Sequence, residues 1–141
     1  MQPDKLNDAQ TQALLQAATA ARLNAYAPYS NFLVGAAVLD ERGRVHAGCN
    51  VENAAYPQGV CAEAAALSAM VLAGGRRATA LLVLGAGPTW VTPCGGCRQK
   101  LREFAATDTP VLVADGHGVQ RRFTLEQLLP HSFGPEHLRP E

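Results

Sequence analysis

The 141-residue sequence has no excess of charge of either sign: twelve basic side chains stand against twelve acidic ones, for a formal net charge of zero. A chain that binds nucleic acid through its phosphates usually carries a basic surplus, so the balance argues against that class. Long apolar runs are also missing. No stretch reaches the ~18 uncharged apolar residues a membrane helix needs, and the best candidate, 78–91, is broken by Gly85, Gly87 and Pro88. The opening MQPDKLNDAQ has neither a basic nor an apolar segment, so no secretory signal is read there. There is no internal repeat, low-complexity tract or linker-like stretch. The expectation is one domain over residues 1–141, long enough to bury a core without staples, in a soluble cytoplasmic protein that engages neither membrane nor nucleic acid.

Cysteine is scarce as well, with four residues: Cys49, Cys61, Cys94 and Cys97. In a reducing compartment, cysteines at short spacing suggest metal or redox chemistry rather than disulfides. Their placement depends on the elements around them. Residues 7–25 are rich in Ala, Leu, Gln and Arg and predict a helix, with Asn7 or Asp8 as its cap and YAPYSN as its stop. Two strands are expected at 32–40 and 44–50, joined by a short ERG loop. In the second, alternation puts Val45, Ala47 and Cys49 on one face and Arg44, His46 and Asn50 on the other. A second helix is read over 61–73, ended by Gly74 and Gly75, then a buried strand over 78–85 and a third helix over 94–106. Strands at 111–114 and 119–123 follow, with DGHG as the turn between them. Thr124 and Gln127 have capping-box spacing and open a last short helix, and PEHLRPE reads as a frayed tail. Helices alternating with apolar strands imply an α/β sheet covered by helices. The first hairpin is antiparallel, and later strands can be parallel through the helical crossovers.

On that map Cys61 sits at the start of the second helix and Cys94 and Cys97 at the start of the third, with 32 residues between Cys61 and Cys94 and two between Cys94 and Cys97. Free backbone N–H groups and the positive end of the helix dipole favour thiolates at such positions, and thiolate is the form that binds zinc. Three protein ligands leave a fourth tetrahedral position for water, the layout of a catalytic zinc. Glu63, two residues after Cys61, is placed to handle a proton beside that position rather than to ligate. Three cysteines, a non-ligating glutamate and a Pro-Cys-x-x-Cys segment match the known signature of zinc-dependent nucleobase deaminases.

The sequence resembles the cytidine deaminases of the small, homotetrameric, zinc-dependent class. The resemblance is carried by YSNFLVGAAV at 29–38, GCNVENAAYP at 48–57, CAE at 61–63, PCGGCRQ at 93–99 and LLPHSFGPEHL at 128–138. It implies a three-layer α-β-α fold on a mixed five-stranded sheet, and hydrolytic deamination of cytidine and deoxycytidine in pyrimidine salvage. By the same resemblance Cys61, Cys94 and Cys97 would bind one zinc per subunit and Glu63 would shuttle the proton. Asn50 and Glu52 would hold the ribose, Phe32 would stack on the base, and the N–H of Ala62 would contact the base carbonyl. Ala54, Tyr56 and Phe133 would come from neighbouring subunits of a homotetramer with shared active sites.

The residues support parts of this. Asn50 and Glu52, two apart, point the same way in extended backbone, and Phe32 offers a ring face for stacking. One position departs from the pattern: many relatives have Arg directly after the glutamate, where this chain has Ala64. Three thiolates and Zn²⁺ sum to −1, and Arg98, next to Cys97, is expected to carry more of the compensation.

Other readings stay open at this level. Cys49 could be a fourth ligand closing a structural site, though its strand face reads as core. Cys94 and Cys97 could form a redox pair, and the cysteines could staple a non-catalytic zinc module, but neither explains Glu63, Asn50 and Glu52. A blasticidin-type nucleoside-analogue deaminase shares the chemistry. Phe32, Tyr29 and Tyr56 could be packing, and Phe133 a helix-end hydrophobe. The four histidines, with no ligand spacing, and the pairs Arg76–Arg77 and Arg121–Arg122, with no aromatic interleaved, read as surface.

Overall fold

A computed structural model describes residues 6–85 and 87–139. The first five residues and Pro140 and Glu141 of the tail lie outside them. Helix α1 spans Asp8–Arg22, capped by Asn7 in a reciprocal box with Gln10. Strands β1 (Val34–Asp40) and β2 (Val45–Cys49) form the expected hairpin, with Gly43 at φ 78° in its turn. Helix α2 (Ala62–Leu72) leads through Gly74, at φ 96°, to β3 (Ala78–Gly85). Helix α3 (Gly95–Phe104) crosses to β4 (Pro110–Asp115), and β5 (Gly118–Thr124) turns into α4 (Leu125–Leu128) behind the Thr124–Gln127 capping box.

The five strands form one mixed sheet in the order β2-β1-β3-β4-β5, in which β3 and β4 are the hydrogen-bonded neighbours that run parallel. Helix α3 joins them, and α2 joins β2 to β3, which run the same way on either side of β1, since a connection between parallel strands needs a crossover. Alternation assigns the faces. Ala36, Val38, Leu81, Val83, Val111 and Val113 pack under α2 and α3, with Leu67, Met70 and Leu101 from those helices. Ala37, Leu39, Leu82, Leu84 and Leu112 face Leu14 and Ala18 of α1. The result is the three-layer α-β-α arrangement. Gly48 lets α2 lie tight on β2: a Cβ there would come within 2.5 Å of Ala66 N and 2.7 Å of Ala62 O. The start of α2, which carries Cys61 and Glu63, is seated by this contact.

Several expectations shift. β1 begins at Val34 rather than Phe32, because the Phe32 carbonyl accepts from Asn50 Nδ2 (2.8 Å) and its N–H donates to Ser30 Oγ (3.0 Å), outside the ladder. β2 is an edge strand, so the row expected to be core is not fully buried: Ala47 is exposed, and Val45 and Cys49 are half-buried. Phe133 lies in a loop before a 3-10 turn at Pro135–His137, not at a helix end.

His46 is not a surface residue. Its Nε2 lies 2.8 Å from the fully buried carboxylate of Asp40, which also accepts from the N–H groups of Arg42 and Arg44 and from Arg44 Nε, each at 2.9 Å. Burial alone would raise the Asp40 pKa, but His46, these backbone donors and the Arg44 guanidinium lower it to about 2. A depressed carboxylate pKa adds stability that is present above the unfolded value near 4 and is lost as pH falls through about 2. Asp40→Asn is therefore expected to lower the unfolding free energy at pH 7 by about 3 kcal/mol, the cost of breaking a buried ion pair. The difference from the parent should shrink toward zero as the pH approaches 2, measured by urea unfolding across the acid range. A pH-independent difference would show that the carboxylate charge is not the source.

Candidate metal centre and substrate cleft

Cys61 and Cys94 are the N-cap residues of α2 and α3, and Cys97 is the third residue of α3. Their three sulfurs lie within 4.8 Å of one another, with Cys61 Sγ and Cys94 Sγ 4.0 Å apart. Tetrahedral zinc with sulfur at 2.3 Å sets sulfurs about 3.8 Å apart, so the spacing fits a zinc ion. The electrostatics point the same way. Desolvation pushes the Cys97 thiol strongly up, and the charges of Glu63, Cys61 and Cys94 add to it. Desolvation and then Cys94 also raise Cys61, whereas the backbone N–H of Cys97 draws Cys94 down. Three adjacent thiols resist ionising together unless a cation shares the space. Cys49 is half-buried and stands apart from this cluster.

Glu63 follows Cys61 on the first turn of α2 and is only 5% exposed. Burial pushes its carboxyl above the usual range, partly offset by the backbone N–H of Glu63 and by Cys97. The cleft in front of it holds about 350 Å³ and is lined by Ser30, Phe32, Val34, Asn50, Glu52, Cys61, Ala62, Glu63, Val83, Val91, Thr92 and Cys94. Five separate segments of the chain thus meet at one opening, where α2 and α3 begin.

The second half of the cleft is organised by side chains bonded to backbone. Asn50 Oδ1 accepts from Val34 N–H at 2.9 Å while its Nδ2 holds the Phe32 carbonyl. The Glu52 carboxylate accepts from the N–H groups of Tyr29 (2.9 Å) and Ser30 (3.1 Å) and from the Ser30 hydroxyl. The Ser30 hydroxyl, followed by those N–H groups, holds Glu52 below the ordinary carboxylate range. Asn50 and Glu52 do face the same cleft, as their spacing predicts.

Ala54, Tyr56 and Phe133 do not line this cleft. Ala54 and Tyr56 are exposed on the loop after Glu52, where Tyr56 meets Tyr29 edge-on at 5.8 Å beside a second opening of about 320 Å³. Phe133 is 56% exposed and stacks on His137. Arg98 does not aim at sulfur: its guanidinium donates to Pro93 O (2.7 Å), Leu128 O (2.7 Å) and Thr92 Oγ1 (2.8 Å), bracing the loop just before Cys94. Ala64 lies on the outer side of α2, in a groove shared with α3. Arg121 sits 5.4 Å from the Trp90 ring centroid, an aromatic neighbour that sequence distance hides.

Sequence reasoning missed Ser30, Val34, Val83, Val91 and Thr92 as cleft residues, the two strand valines because they read as ordinary sheet core. Ser30 lay inside a turn-rich block that could have suggested it. Val91 and Thr92 carried no signal beyond preceding Pro93.

Fold and site together define a class: a mixed α/β sheet protein whose two helix N-termini present three sulfurs to one zinc ion beside a buried carboxylate. Comparison with known proteins narrows the class. Residues 8–113 match the family described as the cytidine and deoxycytidylate deaminase zinc-binding region. The chain is 41% identical over 127 residues to a cytidine deaminase of Sporosarcina psychrophila, covering 90% of this chain and 93% of that one. It is 44% identical over 124 residues to a cytidine deaminase of Mycobacterium tuberculosis, covering 88% and 90%. Its structure matches the crystal structure of cytidine deaminase from Burkholderia pseudomallei with a TM-score of 0.81 and 44% identity, over 86% of this chain and 98% of that one. The chain belongs to the cytidine and deoxycytidylate deaminase family.

Proposed function

We propose that the protein is a zinc-dependent hydrolase that converts cytidine and deoxycytidine to uridine and deoxyuridine, acting as a single domain in the cytoplasm. The observation that carries this reading is the convergence of Cys61, Cys94, the buried Glu63 carboxylate, Phe32, Asn50 and Glu52 on one cleft, with Cys97 completing the sulfur cluster behind it. Zinc held by Cys61, Cys94 and Cys97 would supply the Lewis acidity that makes water a nucleophile near neutral pH.

The chain's own groups then do the rest. Phe32 packs against the pyrimidine face, and the Ala62 N–H, free at the start of α2, donates to the base carbonyl. Asn50 and the ionised Glu52 take the sugar hydroxyls. Glu63 accepts the two protons of the attacking water in turn, passing the first to ring N3 and the second, taken from the hydroxyl then on C4, to the departing amine, which leaves as ammonia. A carboxyl raised by burial suits both directions of transfer. Arg98 acts as a positioning residue, bracing the Thr92–Pro93 turn that precedes Cys94.

A homotetramer with shared active sites is part of the same reading. Tyr56 and Phe133 are 76% and 56% exposed, aromatic surface that a neighbouring copy would cover. The α2–α3 groove of about 710 Å³, lined by Leu67, Val71, Phe104 and the 90% exposed Leu72, offers an apolar face for a second copy.

Purified protein is expected to remove the ultraviolet absorbance of cytidine, to lose that activity to a chelator and to regain it with added zinc. Stoichiometric zinc with no turnover of any cytosine nucleoside would instead identify a non-catalytic zinc module.

A further inference from the structure

We infer that Gly85 is a positioning residue for substrate binding: the space left by its missing side chain seats the Phe32 ring and keeps the floor of the cleft open. Along β3 the side chains of Leu81 and Val83 point to the α2–α3 side, and Val83 already lines the cleft. The period of two puts position 85 on that same side, so a side chain there would extend the row into the cleft. Gly85 is buried at the end of the strand, opposite Val34 of β1. A Cβ built on it would lie 2.6 Å from Val91 Cγ2, and 3.3 and 3.6 Å from Phe32 Cζ and Cε2.

The backbone does not call for glycine here, because Gly85 has no left-handed φ; the demand is for space. Gly87 is the contrast: its φ of +112° requires glycine for the turn, and a Cβ there would only touch Phe32 Cε1 at 3.7 Å. Phe32 is held at its backbone by Ser30 and Asn50; the residue is 37% exposed, and its ring edge lies against Gly85. A methyl group at position 85 must displace Val91, whose Cγ2 it meets at 2.6 Å, while the Phe32 ring, met at 3.3 Å, has only to give slightly. The displaced Val91 side chain narrows the slot for a planar ring beside Phe32 without touching Glu63 or the sulfurs.

The inference rests on the reading of the cleft as the nucleoside site, and Phe32→Ala separates the two: an unchanged KM for cytidine in that variant sinks the stacking role itself. Given that role, Gly85→Ala is expected to raise KM on the order of tenfold, as a one-methyl overpacking does, with kcat and zinc content much less affected. Val91→Ala removes the 2.6 Å contact, so the Gly85→Ala/Val91→Ala double variant should return KM to that of Val91→Ala alone. A wild-type KM for Gly85→Ala, or a rise that Val91→Ala does not relieve, overturns the inference. If Gly85→Ala alone does not fold, the double variant decides it: a KM matching Val91→Ala supports the seat, and a KM well above it refutes it.

Discussion

Glu63→Gln is expected to abolish turnover while leaving the protein folded and loaded with zinc. The amide has the size and shape of the carboxylate, so the first turn of α2, on which Glu63 is only 5% exposed, keeps its packing. What it cannot do is accept a proton. Positioned general acid–base groups contribute about 10²–10⁴-fold, and Glu63 is asked to serve both the water and the leaving amine, so a loss in kcat of about 10⁴-fold is expected. Zinc should be held at least as well as before. The Glu63 charge opposes ionisation of Cys61, Cys94 and Cys97, and an amide removes that opposition. Steady-state kinetics alongside zinc analysis of the same preparation provide the check. A variant that retains a tenth of the parent's kcat would remove Glu63 from the proton-transfer role.

Cys97→Ala tests the metal instead. Cys97 is the innermost of the three sulfurs, 2% exposed on the third residue of α3, while Cys61 and Cys94 open onto the cleft. Two thiols at the cleft mouth do not make a catalytic zinc site, which needs three protein ligands. Zinc content should fall from one per chain to near none, and activity should fall with it, by on the order of 10⁶-fold or to the uncatalysed rate. Added zinc should not restore it, which distinguishes this variant from the chelated parent. The fold should survive, because the sheet and the packing of Leu101 and Met70 do not depend on the sulfur. Near-full zinc content in Cys97→Ala would mean that the ligand set is wrong, with Cys49 the first candidate to replace it.

Much of this site was legible before any coordinates. The thiols and Glu63 announce themselves because their placement is local: a cysteine at each of two helix N-caps, a third three residues into the second of those helices, and a carboxylate two residues from a sulfur. The helix bounds were within a few residues for the same reason, since Asn7, Gly74 and Thr124 act through neighbours in the chain. The errors fall where an element's surroundings come from elsewhere. The expected core face of β2 failed because β2 lies at the sheet edge. His46 looked like a surface residue because nothing near it in sequence says that the Asp40 carboxylate is buried six residues away. Arg98 is adjacent to a ligand, yet the turn of α3 carries its guanidinium to Pro93, Thr92 and Leu128 rather than to sulfur.

The sequence by itself determined the chemistry: which atoms can hold zinc, which carboxylate can move a proton, and a neutral chain suited to a small, uncharged nucleoside. Only the tertiary structure decided the shape of the cleft. The strand order β2-β1-β3 brings Asn50, Ser30, Phe32 and Gly85 together across more than fifty residues of chain. Ligand spacing and helix capping are short-range and leave a pattern in neighbouring letters. A steric seat such as Gly85 is defined by the atoms that would collide with it, and those come from strands and loops that meet only when the sheet forms.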